Sequence, residues 1–211
     1  MSRRPGPGPG QRPGSVPERR IVLATANPDK ARELASLLEG FEVAPRPPDL
    51  PDVEETADTL EGNARLKARA VVAATGQPAV ADDTGLEVDA LGGRPGIYAA
   101  RYAGPGATYA DNVTKLLEEL ADVPPEGRRA RFRTVAVALF PDGMEIVAEG
   151  WVEGTIAEEP SGDGGFGYDA VFVPARADGR TFAQMTQAEK AAISHRGRAL
   201  RALAAQLTPD A

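Results

Sequence analysis

The chain has 211 residues, 42% of them hydrophobic and 26% charged, with no cysteine and a formal charge of −7. That length supports one substantial core, and the lack of cysteine excludes disulfides, thiolate metal sites and a cysteine nucleophile. Five arginines within residues 1–20 face a single glutamate, so the remainder is more acidic still and lacks the broad basic footprint of a nucleic-acid binder. No apolar run reaches membrane-spanning length, and the N-terminus has no apolar secretory segment, which reads as a cytoplasmic protein without a membrane partner.

Residues 1–20 are so rich in Pro, Gly and Arg that a disordered tail is expected. A domain over 21–207 and a short C-terminal tail over 208–211 follow. Ile21 to Thr25 is a continuous apolar run of the kind buried on both faces of a sheet. Asn27 stands at a helix N-cap position with Pro28 at the first helical position. Ala31, Leu34, Ala35 and Leu38 recur at helical spacing until Gly40. This strand, turn and helix would aim first-turn N–H groups and Lys30 at one place suited to a phosphate; the plainer reading is a routine connection with Lys30 in solvent.

Four prolines mark a loop over 44–51, leading to Glu54, Glu55 and Thr56. A helix is predicted from Asp58 to Thr75, with Leu60, Ala64, Ala68, Val71 and Val72 on one face and Arg65, Lys67 and Arg69 on the other. Arg65 and Arg69 read as solvated. Ala79 to Arg101 then carries the adjacent carboxylates Asp82 and Asp83, followed by Thr84 and Gly85. Successive strand residues point to opposite faces, so both carboxylates enter one cleft only if the strand ends between them. One is then the chemical group and the other its support.

Val113, Leu116, Leu117 and Leu120 make the stripe of a further helix, ended by Pro124 and Pro125. Strands are predicted over 131–140 and 144–151, joined at Pro141-Asp142-Gly143, as a ribbon or a dimer surface. Gly162, Gly164 and Gly167 form a literal G-x-G-x-x-G, but the strand-like Ala170 to Pro174 comes next, where a dinucleotide site needs a helix. The stretch is better described as a glycine loop presenting Phe166, Tyr168 and Asp169. Thr186 and Glu189 form a capping box for a helix carrying Lys190, and Ser194 caps a last helix with His195 and Arg196 in its first turn.

Four separated segments thus offer groups suited to a nucleotide. No Gly-Lys dipeptide occurs, which excludes a P-loop, and the sole histidine adjoins Ser194, which disfavours a serine triad. Carboxylates with a hard cation remain, the usual arrangement for magnesium on a polyphosphate. Singly, each feature has a plainer competitor: His195 as a helix-start residue, Phe166 and Tyr168 as core, Glu54 and Glu55 as a solvated loop.

Thr25-Ala26-Asn27 with Lys30, Glu54-Glu55-Thr56, Asn63-Ala64 with Lys67-Ala68, the ADDTGLEVDALGGRPGIYAARYAG block, GGFGYD and EKAAISHRG together resemble the inosine/xanthosine triphosphate pyrophosphatase family over residues 21–207. The family usually has glycine where Ala26 stands. The resemblance implies an α/β fold, an elongated mixed sheet with two lobes flanking a central nucleotide-binding cleft. It also implies a homodimer, magnesium dependence, and hydrolysis of a purine nucleoside triphosphate to monophosphate and pyrophosphate. By the same resemblance Thr25, Ala26, Asn27, Pro28, Asp29 and Lys30 hold the triphosphate, and Asp83 is the acid/base and metal-linked residue with Thr84 touching substrate. Phe166, Gly167, Tyr168 and Asp169 form the base pocket, Lys190, His195 and Arg196 complete the nucleotide contacts, and one of Glu54 and Glu55 binds metal. The rival readings are a nucleotide-binding sensor without turnover and a house-cleaning pyrophosphatase of different base preference.

Overall fold

The computed structural model describes residues 20–38 and 40–208. Of the tails expected over 1–20 and 208–211, residues 1–19 and 209–211 lie outside the described residues, whereas Arg20 already belongs to the first strand and Thr208 caps the last helix, its N–H bonding Ala204 O. In order, the elements are β1 (Arg20–Leu23), α1 (Pro28–Leu37), β2 (Glu42–Ala44), α2 (Leu60–Thr75), β3 (Ala79–Val88), β4 (Pro95–Gly96), α3 (Tyr109–Glu119), β5 (Arg129–Leu139), β6 (Glu145–Ile156), β7 (Phe172–Pro174), α4 (Gln187–Ile193) and α5 (His195–Leu207).

The strands form one mixed sheet in the order β2-β1-β3-β5-β6-β7, with β4 on the far part of β3. β1 pairs in parallel with both β2 and β3. The remaining pairings are antiparallel. β2 was not expected from the sequence: three residues beside a proline-rich loop carry no periodicity of their own, and pairing with β1 makes the strand. The helix predicted from Asp58 begins at Leu60, because Thr59 takes the cap position and its side chain accepts from Gly62 N.

The two long strands are not a free ribbon. β5 is paired along its length with β3 on one side and β6 on the other, and Thr134 to Leu139 are buried. Side-chain alternation along β3 sorts the core. Ala79 and Ala81 pack toward α2 with Ala64, Ala68 and Val71. Val80 packs toward α1 and α5 with Leu34, Leu200 and Leu203. Farther along, Leu86 and Val88 join a separate cluster with Phe132, Phe172, Phe182 and Leu116. Asp82, Asp83 and Thr84 lie between these cores, so the sheet crosses from one apolar mass to another at its polar residues.

Gly150 on β6 shows how closely α5 sits on the sheet: a Cβ there would collide with His195 O and Ala199 N. The missing side chain lets the start of α5 rest on β6, which carries His195 and Arg196 into the interior.

Candidate active site

The turn between β1 and α1 forms as its sequence dictates, with one difference. Asn27 Oδ1 accepts from Asp29 N (2.9 Å) and Lys30 N (3.2 Å), while Ala31 N bonds Asn27 O. Pro28 has no N–H. The first-turn backbone donors expected to face a phosphate are therefore already used, and the turn offers the Asn27 amide and the Lys30 ammonium instead. Ala26 is exposed, and the one described non-glycine residue with positive φ is Asp178, so position 26 has no need of glycine.

β3 does not stop between its two carboxylates; it runs five residues beyond Asp83. They point to opposite faces and have opposite surroundings. The Asp82 side chain is fully buried, and its Oδ2 meets Arg196 Nε at 3.1 Å, Thr84 Oγ1 at 3.2 Å and Lys30 Nζ at 3.4 Å. Burial opposes its ionisation, but Lys30 and Arg196 overcome this and hold the carboxyl well below the usual carboxylate range. Asp83, on the α2 face, accepts from Lys67 Nζ (3.0 Å) and Asn63 Nδ2 (3.3 Å). Its burial outweighs the attraction of Lys67 and Lys30, and its carboxyl is raised.

Asn63 and Lys67 sit one turn apart on α2 and so share a face. Lys67 also donates to Glu55 Oε1 (3.1 Å), and Arg101 NH1 to Glu55 Oε2 (2.8 Å). Glu54 is exposed and outside the cleft lining. Arg65, expected in solvent, binds Glu61 and Glu145 at the edge of the sheet.

At the other end of the cleft, the glycine loop wraps Asp169. Gly165 has φ +70, and a Cβ there would strike the Asp169 carboxylate. Asp169 Oδ2 accepts from Phe166 N (2.8 Å) and Lys190 Nζ (2.6 Å). Burial raises the Asp169 carboxyl against the pull of Lys190. Lys190 also reaches Glu33, which in turn binds Arg196. Phe166 is half-buried, with Lys190 Nζ 4.8 Å and Arg196 Cζ 5.4 Å from its ring centre. The Tyr168 ring lies in the far core and donates its hydroxyl to Ala99 O (2.9 Å), so it floors the cleft instead of standing up as a platform. His195 stacks on Phe132 at 4.5 Å, and its Nδ1 is buried without a protein partner. Burial, then Arg196 and Lys190, keeps this imidazole neutral.

These side chains converge on one cleft, which is lined by Asn27, Lys30, Glu55, Asp83, Thr84, Phe166, Gly167, Tyr168, Asp169, Lys190, His195 and Arg196, together with Tyr109 and Asn112. Thr25 and Ala26 border a neighbouring groove, Asp29 a third depression, and Pro28 is exposed at the helix start. Sequence reading placed neither Lys67, Glu33 nor Tyr109 at the site. The Asn63/Lys67 spacing was the available signal for the first; nothing marked the other two.

Among the described residues no cluster of three or more His, Asp or Glu side chains is arranged to hold a metal. Glu55 and Asp83 nevertheless share one cation already, the Lys67 ammonium. Two carboxylates around a single positive charge fit a hard divalent ion that draws its other ligands from phosphate oxygens and water. No helix of the described residues is long and apolar enough to cross a membrane.

The Ham1 family model matches residues 21–206. A dITP/XTP pyrophosphatase of Symbiobacterium thermophilum is 52% identical over 185 residues, covering 87% of this chain and 92% of that protein. A dITP/XTP pyrophosphatase of Escherichia coli (strain K12) is 50% identical over 190 residues, covering 87% and 95%. A HAM1 protein from Coxiella burnetii has a similar structure, with a TM-score of 0.80 at 41% identity over 90% of this chain and 98% of the other.

Proposed function

The chain belongs to the Ham1 family, and from that premise we propose that it hydrolyses non-standard purine nucleoside triphosphates, those of inosine, deoxyinosine and xanthosine, to monophosphate and pyrophosphate. The observation that carries this reading is one cleft with a carboxylate and ammonium centre at one end and an aromatic ring among buried charges at the other. The triphosphate would lie over Asn27, Lys30 and Lys67, and the base against Phe166 near Asp169, Lys190, His195 and Arg196.

In this reading Asp83 takes a proton from the attacking water. The water oxygen bonds to the α or the β phosphorus and the anhydride bond between them breaks; the bonding pair leaves with pyrophosphate in the first case and with the monophosphate in the second. A raised carboxyl suits a base better than an ordinary one. Lys30 and Lys67 offset charge on the phosphate oxygens. Glu55 and Asp83 would hold magnesium, which when bound supplies further charge neutralisation at those oxygens. Asp82 is buried beneath Lys30 and Arg196 and fixes where those cations stand.

Inosine and xanthosine carry a 6-oxo group where adenosine carries an amino donor. Arg196 directs Nε to Asp82, NH1 to Glu33 and NH2 to Thr84, which leaves two of its five N–H bonds for such an oxygen. A buried site left unpaired by the wrong base discriminates strongly. A homodimer and a cytoplasmic location are carried with this reading; light scattering tests the first.

Pyrophosphate release from a panel of triphosphates, with magnesium and with chelator, tests the function. Preference for inosine and xanthosine triphosphates is expected, lost with chelator; a chain that binds them without turnover would be a sensor. Water labelled with oxygen-18 assigns the attacked phosphorus, since label in the monophosphate means α and label in pyrophosphate means β.

A further inference from the structure

Of the two side-chain donors that the β1–α1 turn presents toward a phosphate, the Asn27 amide is the neutral one, and it is engaged. Its Nδ2 donates to the hydroxyl of Tyr109 at 2.8 Å, and that hydroxyl in turn reaches Asp29 Oδ2 at 3.3 Å. The Tyr109 ring lies 5.8 Å from Phe166, tilted by 37°. One side chain therefore spans the mouth from the phosphate end of the cleft to the base end. Between a triphosphate at Asn27 and a base at Phe166, the part of a nucleotide that falls beneath Tyr109 is the sugar.

The closed arrangement does not admit that ligand as it stands. The Tyr109 hydroxyl occupies the amide that a phosphate would use, and its ring stands 5.8 Å from Phe166; even a flat group between two rings needs about 7 Å, twice an ordinary carbon contact, and a sugar is thicker, so Tyr109 must move aside. Tyr109 is the first residue of α3, and the reciprocal bonds between Thr108 and Asp111 fix the backbone there. The movement is then a rotation of a side chain that is 41% exposed, which is fast and requires no change of fold.

We propose that Tyr109 gates this cleft. Its hydroxyl holds the Asn27 amide while the cleft is empty and yields it to a phosphate oxygen when a nucleoside triphosphate enters; the ring then closes over the sugar opposite Phe166. This rests on the reading of the cleft as a nucleoside triphosphate site. Tyr109 is a positioning residue, since it takes no part in bond making.

The two halves of the role separate in two variants. Tyr109→Phe removes the latch and keeps the wall, whereas Tyr109→Ala removes both. Inhibition by pyrophosphate reads the phosphate end, and inhibition by inosine monophosphate reads the nucleoside. Freeing the Asn27 amide should lower the pyrophosphate Ki in both variants, by about two- to tenfold, the size of one hydrogen bond. Losing the ring should raise the inosine monophosphate Ki about threefold or more in Tyr109→Ala relative to Tyr109→Phe. An unchanged pyrophosphate Ki in both variants overturns the latch, and equal monophosphate Ki values in the two overturn the wall. Failure of the parent reading looks different: the wild-type chain would release no pyrophosphate from inosine triphosphate.

Discussion

Asp82 and Asp83 are joined by one peptide bond, yet the two faces of β3 give them different work. On the α1 and α5 face Asp82 is sealed from solvent between Lys30 and Arg196, and its ionised form is held far below the usual range. On the α2 face Asp83 borders the cleft with Lys67 and Asn63, and burial raises it. The ionised form of the first stabilises the fold; ionising the second costs folding free energy and leaves a base at the cleft. Sequence alternation alone puts the pair on opposite faces, but the elements packed on each face decide which becomes structure and which becomes chemistry.

The largest effect that would break this division is a loss of turnover. Asp83→Asn should fold, because the carboxyl it replaces is one that the protein disfavours ionising. It should also lose about 100- to 10,000-fold in kcat, the usual contribution of a positioned general base. Near-normal pyrophosphate release would remove Asp83 from the mechanism. Asp82→Asn should do the reverse. It leaves Lys30 and part of Arg196 buried without their counter-charge, which costs about 3–5 kcal/mol of stability by urea unfolding. Stability equal to the wild type would show that the cations on this face need no partner. The stabilisation from Asp82 is present above its unfolded value of 3.8 and is lost as pH falls through its lower folded value.

His195 sharpens the comparison from the same face as Asp82. Its neutral imidazole is held well below 6.5 by burial and by Arg196 and Lys190, whereas in the unfolded chain it takes a proton near 6.5. Its contribution is full above that value and declines as pH falls below it, by up to about 1.4 kcal/mol per pH unit. Urea unfolding at several pH values should show this decline, shallower in His195→Gln. Equal slopes would mean that the imidazole is already charged in the fold.

Much of the scaffold was legible because its signals are local. Asn27 and Pro28 start α1, Thr186 and Glu189 cap α4, and Ser194 caps α5, each as the sequence reads. The glycine loop likewise declares itself, because the run after it, Ala170 to Pro174, ends in strand β7 and not in a helix. The parts that were not legible depend on partners distant in sequence. β2 is a strand only because β1 lies beside it. Nothing in the sequence marks Glu33, which the fold brings to Lys190 and Arg196, and the Asn63/Lys67 spacing does not say that Lys67 meets Asp83. Tyr168 lines the cleft beside Phe166 and Asp169, but it does so from the core, with its hydroxyl on Ala99 O, which the glycine loop alone does not reveal.

The smallest expected effect is at Ala26, where this chain departs from the glycine that the resemblance leads one to expect. It lies in the turn that delivers Asn27 and Lys30, and Lys30, like Lys67, acts on both carboxylates. Were glycine required there, for positive φ or for close approach, alanine would strain the turn and displace Lys30. The backbone at Ala26 is not in the left-handed region, and its methyl group is exposed. Ala26→Gly should therefore relieve nothing. It should lower stability by about 0.4–1 kcal/mol through the greater freedom of the unfolded chain, with KM for inosine triphosphate within about twofold of wild type, since a change of well under 1 kcal/mol in binding is all that an unstrained turn allows. A gain in stability, or a KM that falls by tenfold, would mean that alanine distorts the turn and that Lys30 stands away from its best position between the two aspartates.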